Sequence, residues 1–459
     1  MVARSLVSLL FRRHFSHNCQ AVPTTSRVSV QERFHQPLPS LKRIMNMKRP
    51  ENCEWAEGWK DRTTDMNDLK ETFSRVRADS PVPNDVKYRA HFLCAQYLGG
   101  SWKTIDTNDF SLTQITGGMS NLLFLVQLHD SVKKTQNEPS QALLRIHCQS
   151  DIDQLLTESV VFTLLSERNL GPRLLGVFPG GRFEEFIPSR PLQCLEISEE
   201  SCISKIAPML ARVHSLEVPI GKEPQVINRA RSWLEKWSKY EIASRGVDMI
   251  CTRATVDAHL FPSTLSVADL SAELDFVQSF LQCINSPVVF SHNDLQEGNI
   301  LLVDPSAVIS DDLAVIDFEY CDYNPRGFDL GNHLCEYGLD YACDEEPFYK
   351  IYMDKLNVAD KRRLFCEKYH QELVQLSKSG IRIPCDLLSR DYSCDISRLE
   401  TEASLFMAVS HIFWSCWALL NAEESSISFG YAEYARDRLA LYFEKKPLLE
   451  EFIEKNTQH

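Results

Sequence analysis

The point where the residue pattern changes period constrains this chain more than any other feature. FSLTQIT, NLLFLVQL and ALLRIHC alternate or run apolar and predict three strands. Gly117-Gly118 punctuates the first two, and the polar stretch 130–141 loops between the second and third. Residues 151–168 then read as an amphipathic helix, followed by two strands, RLLGVF and RFEEFI, split by Pro179-Gly180-Gly181. A further helix is predicted ahead of the strands, over 84–99. From about residue 198 the pattern is mostly helical: 198–215, 226–243, 267–284, 326–340, 359–377, 397–422 and 430–443. A short β patch at 300–303 and 313–318 interrupts it. Strand–strand–strand–helix–strand–strand is an antiparallel sheet with one helix, not an alternating βαβ chain. The expected fold class is therefore α+β, a small β-rich lobe followed by a large helical one. The expected division is 1–50 as a basic extension, 51–187 as the first lobe and 188–459 as the second. No repeat of 20–50 residues is present, which excludes a solenoid or propeller.

The chemistry sits on the β patch of the helical half. Ser291-His292-Asn293-Asp294-Leu295-Gln296-Glu297-Gly298-Asn299-Ile300 contains H-x-D-x-x-x-x-N, and Val315-Ile316-Asp317-Phe318-Glu319 follows after one loop. Phosphoryl transfer needs a carboxylate facing the acceptor hydroxyl, an amide oxygen on a metal, and a second carboxylate bridging that metal to the phosphates. Asp294, Asn299 and Asp317 supply those three groups. The ordinary alternative is an Asp that caps a helix and an Asp in a turn; the paired motifs in this order weigh against it.

Two features of the first half fit the same chemistry. Thr116-Gly117-Gly118-Met119-Ser120-Asn121 lies between the first two strands, where two glycines let backbone N–H groups approach a phosphate. Arg145 stands in the apolar strand Leu143-Leu144-Arg145-Ile146, where a lone cation needs a partner. Kinases hold the α- and β-phosphates with a cation at this place, paired to a helix Glu, and Glu158 is the expected partner. A structural ion pair that touches no nucleotide is the competing explanation.

Charge narrows the partners. The net charge is −14, yet residues 1–50 hold nine Lys/Arg and one Glu, so the remainder must carry −22. A body that acidic repels nucleic acid and suits a cationic substrate. The Arg-rich, acid-poor start MVARSLVSLLFRRHFSHNCQ has the composition of a mitochondrial transit peptide. The alternative is an unconstrained extension ahead of Met45 and Met47. Fifteen cysteines, singly spaced and without C-x-x-C, argue against a disulfide framework and a zinc site and point to a reducing compartment, the cytoplasm. No apolar run reads as a membrane span of ~20 residues.

Together, TGGMSN, LLRIH, ERNLGPRLLGVF, EEFIPSRPL, SHNDLQEGNILL, VIDFEYCDYNPRGFDLGNHLCEY and SISFGYAEYARDRLALYF resemble the choline/ethanolamine kinase family, over residues 80–445. The resemblance implies a two-lobed protein-kinase-like fold and ATP- and Mg²⁺-dependent phosphorylation of choline. That reaction is the first step of phosphatidylcholine synthesis from choline, and the family also acts on ethanolamine. By the same resemblance Asp294 is the catalytic base, with Gln296 beside it. Asn299 and Asp317 are Mg²⁺ ligands assisted by Glu319, and Arg145 holds phosphate. Glu185, Phe186 and Ile187 fall where the hinge reads adenine. Leu295 stands where a smaller or polar residue is expected. A homodimer without stable membrane insertion is implied as well.

Choline is a quaternary ammonium and donates no hydrogen bond, so its site must use aromatic faces and negative charge. Trp414 and Trp417 are three apart on a predicted helix and hence on one face. Phe429 and Tyr434 follow, Tyr341 is expected on the helix after Asp317, and Glu336, one turn earlier, supplies the charge. All six match the family's choline pocket. A Trp pair at this spacing also suits a plain core. Three rivals remain at this point: an aminoglycoside-type kinase with an open acidic groove, a non-catalytic kinase-like binding protein, and a peripheral membrane protein using residues 1–50. An ethanolamine kinase is the nearest alternative of all.

Overall fold

The computed structural model describes residues 66–76, 80–115, 121–135, 138–147, 152–304, 313–356, 358–384, 386–389, 391–425 and 427–457. They form two compact units, 66–190 with 303–304 and 313–314, and 191–302 with 315–457. The expectations for residues 1–50 and for Gly117, Gly118 and Ser120 lie outside the described residues.

The first unit contains α1 (Met66–Phe73), α2 (Asn84–Tyr97), β1 (Phe110–Ile115), β2 (Asn121–Leu128), β3 (Gln141–His147), α3 (Ile152–Glu167), β4 (Leu174–Phe178) and β5 (Gly181–Glu185). The sheet order is β1-β2-β3-β5-β4, antiparallel throughout. Alternation decides which face is buried. Phe124, Val126 and Leu128 on β2 and Ala142, Leu144 and Ile146 on β3 point into one core with Leu69, Phe73, Val86, Ala90 and Leu93 of α1 and α2. Trp102 closes this core and donates its indole N–H to Pro139 O at 2.8 Å. The opposite face carries Arg145, directly across from Arg182 on β5. Gly181 opens β5 because a Cβ there would stand 2.3 Å from Arg145 O.

The second unit is helical: α4 (Glu200–His214), α5 (Val226–Trp237), α6 (Val267–Ile284), α7 (Arg326–Cys335), α8 (Ala359–Lys378), α9 (Tyr392–Glu424) and α10 (Tyr431–Thr457). α9 is the axis, packed on α5, α7, α8 and α10. By length and composition α9 could cross a membrane, contrary to the reading of the sequence. Yet 94% of its apolar window is buried inside the protein, which is the burial of a core helix. Gly327 and Gly331 let α7 approach α9 closely: a Cβ on Gly331 would lie 2.6 Å from the Phe406 carbonyl carbon. Arg326 and Glu402 join the same helices by two buried 2.8 Å hydrogen bonds.

Two boundaries differ from expectation in ways that matter below. The helix expected over 326–340 stops at Cys335, and Glu336–Gly338 form a single 3₁₀ turn before a two-residue strand, Leu339–Asp340. Tyr341 therefore follows a strand, not a helix. The turn packs too closely for a side chain at Gly338, where a Cβ would meet Tyr352 O at 2.7 Å. The second difference is a strand pair absent from the sequence reading, β6 (Val288–Ser291) with β7 (Asp322–Pro325), in which Ser291 faces Asp322.

Candidate active site

The β6–β7 pair sets the two acidic motifs side by side, because residues 292–299 leave one strand and 316–321 enter the other. His292 stitches them together. Its Nε2–H donates to Ile316 O at 3.2 Å, and its Nδ1 accepts the Asp294 N–H at 3.3 Å, which fixes a neutral tautomer. Asn293 and Asp317 both adopt left-handed backbone, at φ 65°. Asn and Asp tolerate that region better than most residues.

Asp294 is buried, and Asn299 hydrogen-bonds it from five residues on. The Asn299 Nδ2 donates to Asp294 O at 2.6 Å and to Asp294 Oδ2 at 2.9 Å. That commits the amide nitrogen and leaves buried Oδ1 with no hydrogen-bond partner. A buried carbonyl oxygen so placed beside a carboxylate is a ready acceptor for a cation. Gln296 shows the complementary pattern. Its Oε1 takes the Gly298 N–H at 2.8 Å, while its buried Nε2 has no partner. Asp317 and Glu319 are half-buried on the facing segment. Among the described residues no three His, Cys, Asp or Glu side chains form a closed metal cluster, so a cation here would complete its shell with oxygens from a ligand.

One helix holds this loop in place. Asp329, Asn332 and His333 lie at i, i+3 and i+4 on α7 and share a face. Asp329 accepts the backbone N–H groups of His292 at 2.7 Å and Asn293 at 2.9 Å, and His214 Nε2 at 3.0 Å. Burial works against its charge, but these donors hold the carboxyl below its usual range. His333 donates Nδ1–H to Leu295 O at 2.7 Å. Burial pushes His333 down to about 4, so it stays neutral in this role. Leu295 itself is buried in the core.

The aromatic residues named from the sequence come together. Trp414 and Trp417 meet edge to face, with ring centroids 5.5 Å apart. Phe429 and Tyr434 are 5.6 Å apart, and the Tyr341 and Tyr434 hydroxyls bond at 2.8 Å. Tyr431 joins the two groups, 5.6 Å from Trp417 and 5.0 Å from Phe429. Tyr320 extends the aromatic cluster. It accepts the Trp417 indole N–H at 3.1 Å and lies 5.3 Å from the Trp414 ring. Sequence reasoning missed both tyrosines, although Tyr320 sits only three residues after Asp317. Glu336 is fully buried beside them, but not as a lone charge: Arg438, equally buried, approaches it at 3.7 Å. Burial lifts Glu336 to about 7; Arg438 pulls against that, and nearby Asp294 adds to it. A second buried carboxyl, Glu297, is raised well above its usual value by burial and by Glu336.

The first unit carries a separate charged cluster. Arg145 Nε engages Glu184 at 2.5 Å, not the expected Glu158; Glu158 engages Arg182 at 2.9 Å. Strand register is the reason. Arg145 and Arg182 stand opposite on β3 and β5, and Glu184, two residues along, bonds both, reaching Arg182 at 2.8 Å. Burial opposes its charge, yet the two guanidinium groups hold Glu184 down to about 2. Asn121 contacts His147 Nδ1 at 3.2 Å, and burial with Arg182 takes that imidazole down to about 4. At the proposed hinge the Glu185 N–H is committed to Arg173 O at 2.8 Å, and buried Ile187 accepts the Ser189 hydroxyl.

Comparison with known proteins gives the family. The family model for choline/ethanolamine kinase matches residues 112–443. Choline kinase A2 of Caenorhabditis elegans is 41% identical, over 83% of this chain and 91% of that protein. The choline/ethanolamine kinase of Homo sapiens is 36% identical, over 82% of this chain and 90% of its own length. Among solved structures, a choline kinase from Cryptosporidium parvum shares the fold with a TM-score of 0.60 and 24% identity, covering 79% of this chain and 96% of that one. An ethanolamine kinase from Plasmodium vivax does so with a TM-score of 0.59 and 20% identity, covering 89% and 99%.

Proposed function

This chain belongs to the choline/ethanolamine kinase family, and from that premise we propose that it transfers the γ-phosphoryl group of ATP to the hydroxyl of choline, with slower turnover of ethanolamine. The observation that carries the choice of acceptor is the continuous aromatic wall of Tyr320, Trp414, Trp417, Tyr431, Phe429 and Tyr434 with buried Glu336 beside it. A quaternary ammonium gains from aromatic faces and loses nothing by lacking hydrogen-bond acceptors. A primary ammonium leaves up to three donors to satisfy.

In this reading Asp294 orients the acceptor hydroxyl and takes its proton as the phosphoryl group moves. Its carboxylate is held for that task by Asn299 Nδ2, its N–H by His292, and the peptides on either side of it, at Asn293 and Leu295, by α7. Gln296 has an uncommitted amide N–H to offer to the acceptor or a phosphoryl oxygen. Mg²⁺ would be held by Asn299 Oδ1 and Asp317, with Glu319 assisting, and when bound it supplies charge neutralisation on the phosphates. Arg145, oriented by Glu184, is the cation proposed to hold phosphate oxygens. Glu158 serves that cation indirectly, by neutralising Arg182. Acceleration comes from positioning and electrostatics, with no phosphoenzyme. An assay of the purified chain with ATP, Mg²⁺ and either amine tests the proposal. Choline preferred over ethanolamine supports it, and a clear ethanolamine preference overturns the reading of the aromatic wall.

A further inference from the structure

One fully buried amide has no part in that mechanism yet touches both halves of it. The Asn332 Oδ1 accepts the Trp414 indole N–H at 2.7 Å and the Ser410 hydroxyl at 2.7 Å, and its Nδ2 donates to Asn293 O at 3.3 Å. The orientation of the amide is fixed, since two donors face its oxygen and a carbonyl faces its nitrogen. Ser410 carries the connection further. Its Oγ accepts from Arg438 at 2.8 Å, and Arg438 also reaches the Tyr434 hydroxyl at 3.2 Å and Glu336. Asn332 thus connects Trp414 on one side, and Tyr434 and Glu336 on the other, to the peptide just ahead of Asp294.

We propose that Asn332 is a positioning residue that ties the aromatic acceptor pocket to the catalytic loop, so that a displaced pocket wall displaces Asp294. Three features support it. The linked residue, Asn293, is in left-handed backbone, where its contacts help to hold it. Buried polar groups that are fully paired specify one geometry, and breaking one pair leaves another group unsatisfied. Asn293 has a second tie to the same wall: its Nδ2 donates to Tyr320 O at 2.9 Å, and the Tyr320 hydroxyl accepts from Trp417. Misplacement of a reacting group by about 1 Å is enough to cost roughly 100-fold in rate.

The inference rests on the reaction proposed above, and the test separates the two. Asn332→Asp keeps both acceptor contacts and replaces the donor to Asn293 O by a carboxyl oxygen, which as a carboxylate repels that carbonyl and brings a buried charge with it; Trp414→Phe keeps a ring and removes the indole N–H. With the full chain, ATP and Mg²⁺, kcat and KM for choline are measured for both variants and for the double variant. The expected result for Asn332→Asp is a kcat lowered about 10- to 100-fold with KM changed less than about threefold. The double variant is expected to lose at least about fivefold less than the product of the two losses. Wild-type kcat in Asn332→Asp, or losses that multiply, overturns the inference while the reaction stands. A wild type that turns over neither amine overturns both. Should Asn332→Asp fail to fold, Ser410→Ala with Trp414→Phe carries the same test, with the same two readings.

Discussion

In the proposed reaction Asp294 is the residue on which the chemistry turns. Asp294→Asn keeps the shape and removes the base, so kcat should fall on the order of 10²–10⁴-fold with little change in the KM for choline. Unchanged kcat would remove Asp294 from that role. Glu336 makes a prediction about pH. Its carboxyl is lifted to about 7 by burial, facing Arg438, Asp294 and Tyr341. A raised carboxyl is protonated below that value and charged above it, and only the charged form attracts a cation. Choline affinity, measured by calorimetry, should therefore weaken as pH falls from 8 to 6, and Glu336→Gln should flatten that profile. Removing one ring of the wall, as in Trp417→Ala, should cost choline ~0.5–2 kcal/mol in binding, about 2- to 30-fold. Ethanolamine should lose less. Equal losses for both amines would show that Trp417 only fills space.

Among the elements, α7 has the widest influence, since one helix face supplies Asp329, Asn332 and His333 to the catalytic loop. Its approach to α9 depends on Gly331. Gly331→Ala forces a methyl against the Phe406–Met407 backbone and should destabilise the fold by about 1–3 kcal/mol. It should also lower kcat by shifting the loop. A melt and a kcat both like wild type would contradict that dependence. Much of this scale was legible in the sequence. Strand periods gave all five strands of the sheet, and α6 matches its predicted bounds; in the structure Ser266 and Asn285 frame it with a capping box and a left-handed cap. Short elements escaped. Val288–Ser291 is four residues, too brief for a period, and its pairing with Asp322–Pro325 is a long-range event. The Arg145 partner escaped for a similar reason: Glu184 is brought there by strand register, which local spacing does not encode. For the site, the three chemical residues stood in linear motifs, whereas Asn332, Arg438 and Tyr431 matter through contacts made only in the fold.

At the scale of the whole molecule the charge distribution and the site agree. An acidic body suits a cationic acceptor, and the residues proposed for the acceptor site lie within one unit. We expect a homodimer, which light scattering would show as twice 52.6 kDa, and a cytoplasmic enzyme, which fluorescent fusions with and without residues 1–50 would check. A strictly monomeric mass, or import that depends on residues 1–50, would contradict those expectations. Chelation should abolish turnover and added Mg²⁺ restore it; full activity in chelator would exclude the role assigned to Asn299 and Asp317. The central claim is tested most directly by phosphoryl transfer itself. Purified full-length protein, with Asp294→Ala alongside, is given labelled ATP, Mg²⁺ and choline, ethanolamine or an aminoglycoside. The account predicts phosphocholine as the main product, less phosphoethanolamine, no aminoglycoside product, and none of these from the variant. Nucleotide binding without transfer to any acceptor would contradict it and leave a kinase-like binding protein.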